Sequence, residues 1–162
     1  MSQIDERRQE IAELAATIGH LATASGVSVA VAESLTCGRI AQALGEVPDA
    51  STWFRGGVIA YHIEAKHRLL GVPWGPVVSA ACAEQMARGA LEAVGVRISV
   101  AVTGVGGPGP AEGHPAGTVF IGVSSASVTR SSQHVFTGAP AEVLELTTLH
   151  ALKDLKTLLL DA

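Results

Sequence analysis

The sequence predicts an α/β protein: a three-layer α/β/α sandwich around one central sheet, mostly parallel but mixed. Three observations predict it. Short apolar runs at 27–32, 57–61 and 98–102 alternate with segments in which apolar residues recur at helical spacing, the order that builds parallel strands with crossover helices. Two further runs, 118–123 and 127–136, are separated by a tight serine-rich turn and read as an antiparallel strand pair, which makes the sheet mixed. Finally, 162 residues with 48% hydrophobic and 16% charged side chains suffice for one substantial core, and no repeat, linker or low-complexity tract divides residues 1–162 into more than one domain.

The elements follow in order. Ile4, Ile11, Leu14, Ala15, Ile18 and Leu21 lie on one helical stripe, and Ser25-Gly26 stops it. Val27 to Ala32 is a buried strand and Gly38 to Leu44 a short helix. Gly57 to Tyr61 is a second strand, running into a helix over Ile63 to Leu70. Gly71 to Pro76 is a connection, and Ser79 caps a helix over Ala80 to Val94. Ile98 to Val102 is the third strand, feeding a Gly/Pro-rich loop that runs from Thr103 to about Gly117. After the strand pair, Val143, Leu146, Leu149, Leu152, Leu155 and Leu159 mark a last helix entered through Pro140.

Charge and composition exclude several classes. A net charge of -4, with no cluster of Lys or Arg among aromatics, provides no field for a phosphate backbone, so no nucleic-acid partner is expected. The charged N-terminus lacks the pattern of a signal peptide and no apolar run reaches membrane-spanning length; a cytoplasmic protein without membrane contact is expected. The two cysteines, Cys37 and Cys82, have neither metal-clip nor redox-pair spacing, and Cys82 reads as core. The six histidines form no HxxxH pattern, so no metal is expected.

Chemistry concentrates at strand ends. The run Val29-Ala30-Val31-Ala32 stops abruptly in Glu33-Ser34-Leu35-Thr36-Cys37-Gly38, a carboxylate, two hydroxyls and a thiol. Ser34 or Thr36 would serve either as a helix cap or as part of a site. Ligand crevices of open α/β sheets lie beyond the carboxyl ends of the strands, and Glu33-Ser34, Tyr61 and Thr103 occupy three such ends. Thr103-Gly104-Val105-Gly106-Gly107-Pro108-Gly109 contains the dinucleotide-fingerprint spacing, but its prolines forbid the helix that would hold a pyrophosphate. The loop is either a wide turn or a nest of amides for an anion. Lys66, one turn beyond Tyr61, is either a solvated lysine or a base for a serine hydroxyl.

An ordered set of segments resembles the C-terminal domain of the CinA (competence/damage-inducible) family. It comprises Ala32-Glu33-Ser34-Leu35-Thr36, Val47-Pro48-Asp49-Ala50-Ser51, Phe54-Arg55-Gly56-Gly57-Val58-Ile59-Ala60-Tyr61, Glu64-Ala65-Lys66, Val78-Ser79, Val102-Thr103-Gly104 with Gly107-Pro108-Gly109, and Gly117-Thr118-Val119. The resemblance runs from about Ala15 to the end of the chain.

It implies an amidohydrolase that converts nicotinamide mononucleotide to nicotinate mononucleotide and ammonia, without cofactor or metal, and a homo-oligomer. Ser34 would be the nucleophile, Lys66 its general base, Tyr61 a partner that positions Lys66 or the oxyanion, and Thr103 a further catalytic donor. Glu33, Thr36, Gly38, Gly104, Gly106 and Gly107 would bind substrate, the glycine loop cradling the ribose phosphate. Two positions depart: Cys37-Gly38 replaces a Gly-Gly, and Gly138-Ala139-Pro140 stands where the family carries Gly-Asp-Arg. The alternative that these departures support is a catalytically silent nucleotide-binding or interaction module of the same fold.

Overall fold

The computed structural model describes residues 1–162. Ser2 accepts the amide of Asp5, and the Asp5 carboxylate accepts from the Ser2 amide, so a capping box satisfies donors that the start of helix α1 (Gln3–Ser25) leaves open. There follow β1 (Val29–Glu33), α2 (Arg39–Gly45), a 3-10 turn at Ala50–Thr52, β2 (Phe54–Ile59), α3 (Ile63–Leu70), α4 (Ala80–Val94), β3 (Ile98–Gly104), β4 (Thr118–Ser125), β5 (Thr129–Val135) and α5 (Pro140–Asp161).

The strands stand in the order β2-β1-β3-β4-β5. β1 is parallel to β2 and β3, whereas β4 is antiparallel to β3 and β5. Four strands therefore share one direction and β4 alone opposes them: the sheet is mixed and mostly parallel, as the sequence predicts.

The two faces of the sheet differ in side-chain size. Val29 and Val31, Ile98, Val100 and Val102, and Val119, Ile121 and Val123 meet α1, α2 and α5 in a core of 22 buried residues. The intervening positions carry Ala32, Ala101 and Gly122, and against them pack α3 and the small-residue helix α4. Small side chains let α4 settle close to the strands: Ser99 Oγ donates to the Ala87 carbonyl at 2.5 Å, and a Cβ at Gly122 would run into the Ala83 carbonyl. Gly122→Ala should therefore cost about 1–3 kcal/mol by overpacking. Gly45→Ala, where a Cβ meets nothing, should be neutral or stabilising by roughly 0.4–1 kcal/mol, as denaturant titration of both variants would show.

Strand β2 begins three residues earlier than the sequence predicts and ends at Ile59. Gly56 and Gly57 weaken the local strand signal, but pairing with β1 from Val29↔Phe54 to Glu33↔Ile59 overrides it. Ala60 and Tyr61 fall outside the ladder, which frees their carbonyls for another partner.

Along the opposite edge, β5 is tied to α5 by a polar seam. Arg130 pairs with Asp161 at 3.3 Å, Ser132 Oγ donates to Asp154 at 2.7 Å, and the rings of His134 and Phe136 lie 4.8 and 5.1 Å from that of His150. Burial holds the His150 pKa below its ordinary value; His134 and Lys153 add to the effect, and Asp154 and Glu10 oppose it. A base with a folded pKa below its unfolded one costs stability as it takes up a proton, so this contribution is intact at neutral pH and is lost as pH falls below about 6.5. His150→Gln should flatten that acid-side loss relative to the wild type in thermal melts run between pH 7.5 and 5.

Candidate active site

The turn that leaves β1 is built around one buried carboxylate. Glu33 is 0% exposed. Its Oε1 accepts from Thr36 Oγ1 at 2.6 Å, Gly38 N at 3.2 Å and Ile40 N at 3.0 Å, and its Oε2 accepts from Ala41 N at 3.0 Å. Gly38, the residue just before α2, has no side chain to cap the helix, and Glu33 does so from five residues upstream. Neither Ser34 nor Thr36 caps an amide; Thr36 is also fully buried, its hydroxyl spent on Glu33. Of the three residues named as substrate contacts on this turn, Glu33 and Thr36 thus shape it from within and Gly38 gives its amide to Glu33, while Cys37 is left exposed at a positive φ of 47°.

Ser34 meets Lys66. The lysine lies on the inner face of α3 with Leu70, four residues on, and is 2% exposed. Its Nζ lies 2.8 Å from Ser34 Oγ, 2.8 Å from the Ala60 carbonyl and 3.0 Å from the Tyr61 carbonyl. The freed end of β2 supplies two of these acceptors. Tyr61 positions Lys66 through its backbone, while its phenol ring stands 68% exposed. Burial lowers the Lys66 pKa, with Cys82 and Glu112 acting in the opposite sense. Three partners suit an ammonium with three donors. They equally suit a neutral amine that donates to both carbonyls and takes the Ser34 proton on its lone pair.

Thr103 lies on the neighbouring strand. The β1–β3 pairing closes at Ala32↔Ala101, two residues before Ser34 on one strand and Thr103 on the other. It is buried, and its hydroxyl donates to the Val77 carbonyl at 2.8 Å. Gly104 pairs with Val119 inside the ladder. The loop beyond leans on the start of α5: a Cβ on Gly106 would lie 3.8 Å from Leu144, and one on Gly107 would lie 3.8 Å from Pro140.

Two residues near this site escaped the sequence reading of its chemistry. Glu112, at the tip of the loop, accepts from Val77 N at 2.9 Å and Val78 N at 3.0 Å, and so fastens the loop to the segment whose carbonyl Thr103 holds. A lone glutamate among Pro, Ala and Gly carries no periodicity that would reveal this. Cys82, read as core, is buried, and burial raises its thiol pKa against the pull of Lys66. Of the arginines that might stand in near Pro140, Arg130 is bound to Asp161 at the other end of α5. Arg39 makes no ion pair; its Nη1 lies 3.5 Å from the Thr36 carbonyl, and it lines a cavity of about 670 Å³ with Ala141 and Glu142 of α5. No group of three or more His, Cys, Asp or Glu is arranged to hold a metal, and no helix is long and apolar enough to cross a membrane.

Fold and site together define a class: a mixed α/β sandwich with a buried lysine hydrogen-bonded to a serine beyond the first strand. Residues 11–159 match the model of the CinA C-terminal domain, and the chain belongs to that family. A CinA-like protein of Desulfotalea psychrophila is 38% identical over 149 residues, 88% of this chain and 36% of that protein. The chain spans about a third of the length of the curated relatives it matches. Among solved structures, a CinA superfamily protein from Klebsiella pneumoniae superposes with a TM-score of 0.89 at 30% identity, covering 94% of this chain and 99% of that one. The competence/damage inducible protein CihA from Agrobacterium tumefaciens gives 0.87 at 34% identity, covering 92% and 95%.

Because Glu33 serves four donors, Glu33→Gln should loosen the turn: an amide offers one acceptor oxygen and sets an NH2 against backbone N–H groups. A loss of roughly 1.5–3 kcal/mol is expected, with faster hydrogen exchange at Ile40 and Ala41.

Proposed function

We propose that this domain hydrolyses the carboxamide of nicotinamide mononucleotide, releasing ammonia and nicotinate mononucleotide. The observation that carries the reading is the 2.8 Å contact between Lys66 Nζ and Ser34 Oγ, both buried, with the two β2-end carbonyls holding the amine in place. A lysine whose charged form is disfavoured by burial is suited to take the proton of a serine hydroxyl as that hydroxyl attacks a carbonyl. Membership of the CinA family and the resemblance of the Ser34, Lys66 and Thr103 segments support the same substrate.

The phosphate falls to the glycine loop. The amides of Gly106 and Gly107 donate to no protein acceptor, and a turn with several such amides suits an anion. Arg39 makes no ion pair, but the cavity it lines with Ala141 also carries Glu46, Glu142 and Glu145 and none of the residues around Ser34 and Lys66, so the phosphate is left to the loop amides.

Purified protein incubated with nicotinamide mononucleotide should release ammonia and nicotinate mononucleotide in equal amounts. The rate should rise with pH as Lys66 loses its proton, at a pH below the ordinary lysine range. Lys66→Ala and Ser34→Ala should each lower it by at least about 10²–10⁴-fold. Equal rates for all three proteins, or none from the wild type, would remove the proposal.

A further inference from the structure

A complete account of the backbone donors after β1 leaves three of them without an acceptor. Cys37 N donates to the Ser34 carbonyl and Arg39 N to that of Thr36, both at 3.1 Å. The amides of Gly38, Ile40 and Ala41 go to Glu33. Those of Ser34, Leu35 and Thr36 donate to nothing in the protein, although all three residues are buried.

Buried N–H groups are almost always paired, because an orphan forfeits its hydration without compensation. Three such amides in succession start at the residue whose Oγ meets Lys66. They are not the donors of the start of α2, since Glu33 has taken those. Its carboxylate also draws Thr36 Oγ1 inward, so this hydroxyl does not serve the adjacent amides.

We propose that the amides of the Ser34–Leu35–Thr36 turn form the oxyanion pocket of this site, receiving the negatively charged oxygen of a tetrahedral adduct on Ser34. The inference rests on the amidase reading for its substrate, and on the geometry of the turn for the pocket. As Ser34 Oγ bonds to the carboxamide carbon, the C=O π pair moves to oxygen and the hydroxyl proton passes to Lys66 Nζ. The new O⁻ is then held by N–H groups that need no reorganisation to receive it. Collapse of the adduct restores the C=O bond and breaks the C–N bond; the proton on Lys66 goes to the departing nitrogen, which leaves as ammonia. Water then attacks the acyl carbon, giving a proton to Lys66, and the second adduct, an oxyanion in the same pocket, expels Ser34 Oγ, which recovers its proton from Lys66.

The test uses pyridine-3-boronic acid, whose boron becomes a tetrahedral anion when a serine oxygen bonds to it. With 15N-labelled wild-type protein, ¹¹B spectra should show a tetrahedral adduct, and the largest downfield amide-proton shifts should fall within residues 34–36. Ser34→Ala should abolish both signals. An adduct whose largest shifts lie elsewhere, or no adduct at saturating boronate, would overturn the pocket. Ammonia release from nicotinamide mononucleotide without shifts at 34–36 would leave the amidase and remove the pocket. Shifts at 34–36 without ammonia release would keep the pocket and remove that substrate.

Discussion

The site depends on solvating one buried ammonium or amine with protein atoms alone. Lys66 is removed from water, and an unpaired charge there would be prohibitively costly, so its Nζ must find partners within the fold. It finds them on two different elements: the Ser34 hydroxyl after β1 and the Ala60 and Tyr61 carbonyls after β2. Both carbonyls come just after Ile59, the last residue of β2, and are given to the lysine. It also couples α3 to the first crossover of the sheet, since Glu33 O accepts from Ala60 N at 2.8 Å one residue before Ser34.

A second constraint comes from the asymmetry of the sheet. Branched side chains fill the space beneath α1, α2 and α5, while Ala, Ser and Gly face α4. The result is a thick apolar layer that supplies most of the buried area and a thin one in which backbone approaches backbone. The thin layer brings the start of α4, with Cys82 on it and the 77–79 segment before it, up to Thr103. Glu112 then ties the glycine loop to the same segment. The crevice is therefore walled by parts held to one another, each by a polar contact to backbone.

The turn after β1 shows how one carboxylate sorts its neighbours. By engaging the helix-start amides and the Thr36 hydroxyl, Glu33 holds the turn in a shape that leaves the amides next to Ser34 without acceptors. In the proposed reaction those amides would meet a charge that exists only in the adduct, which is how donors fixed in advance stabilise it without reorganisation.

Periodicity and end signals by themselves determined the element order, the hairpin that makes the sheet mixed, the single core and the strand ends at which a site would lie. These depend on side-chain pattern along one segment at a time, and a pattern of period two or three to four is visible in any linear chain. Ser34, Lys66 and Thr103 were legible as candidates because they follow apolar strands. The tertiary structure alone decided what each does. It turned Glu33 and the Thr36 hydroxyl inward, made Tyr61 a backbone acceptor, bound Arg130 far from the start of α5, and brought Glu112 to the Val77 and Val78 amides. None of this is readable from residue type, because a hydrogen bond is a matter of distance and direction between groups that, like Val77 and Glu112, lie 35 positions apart in the chain.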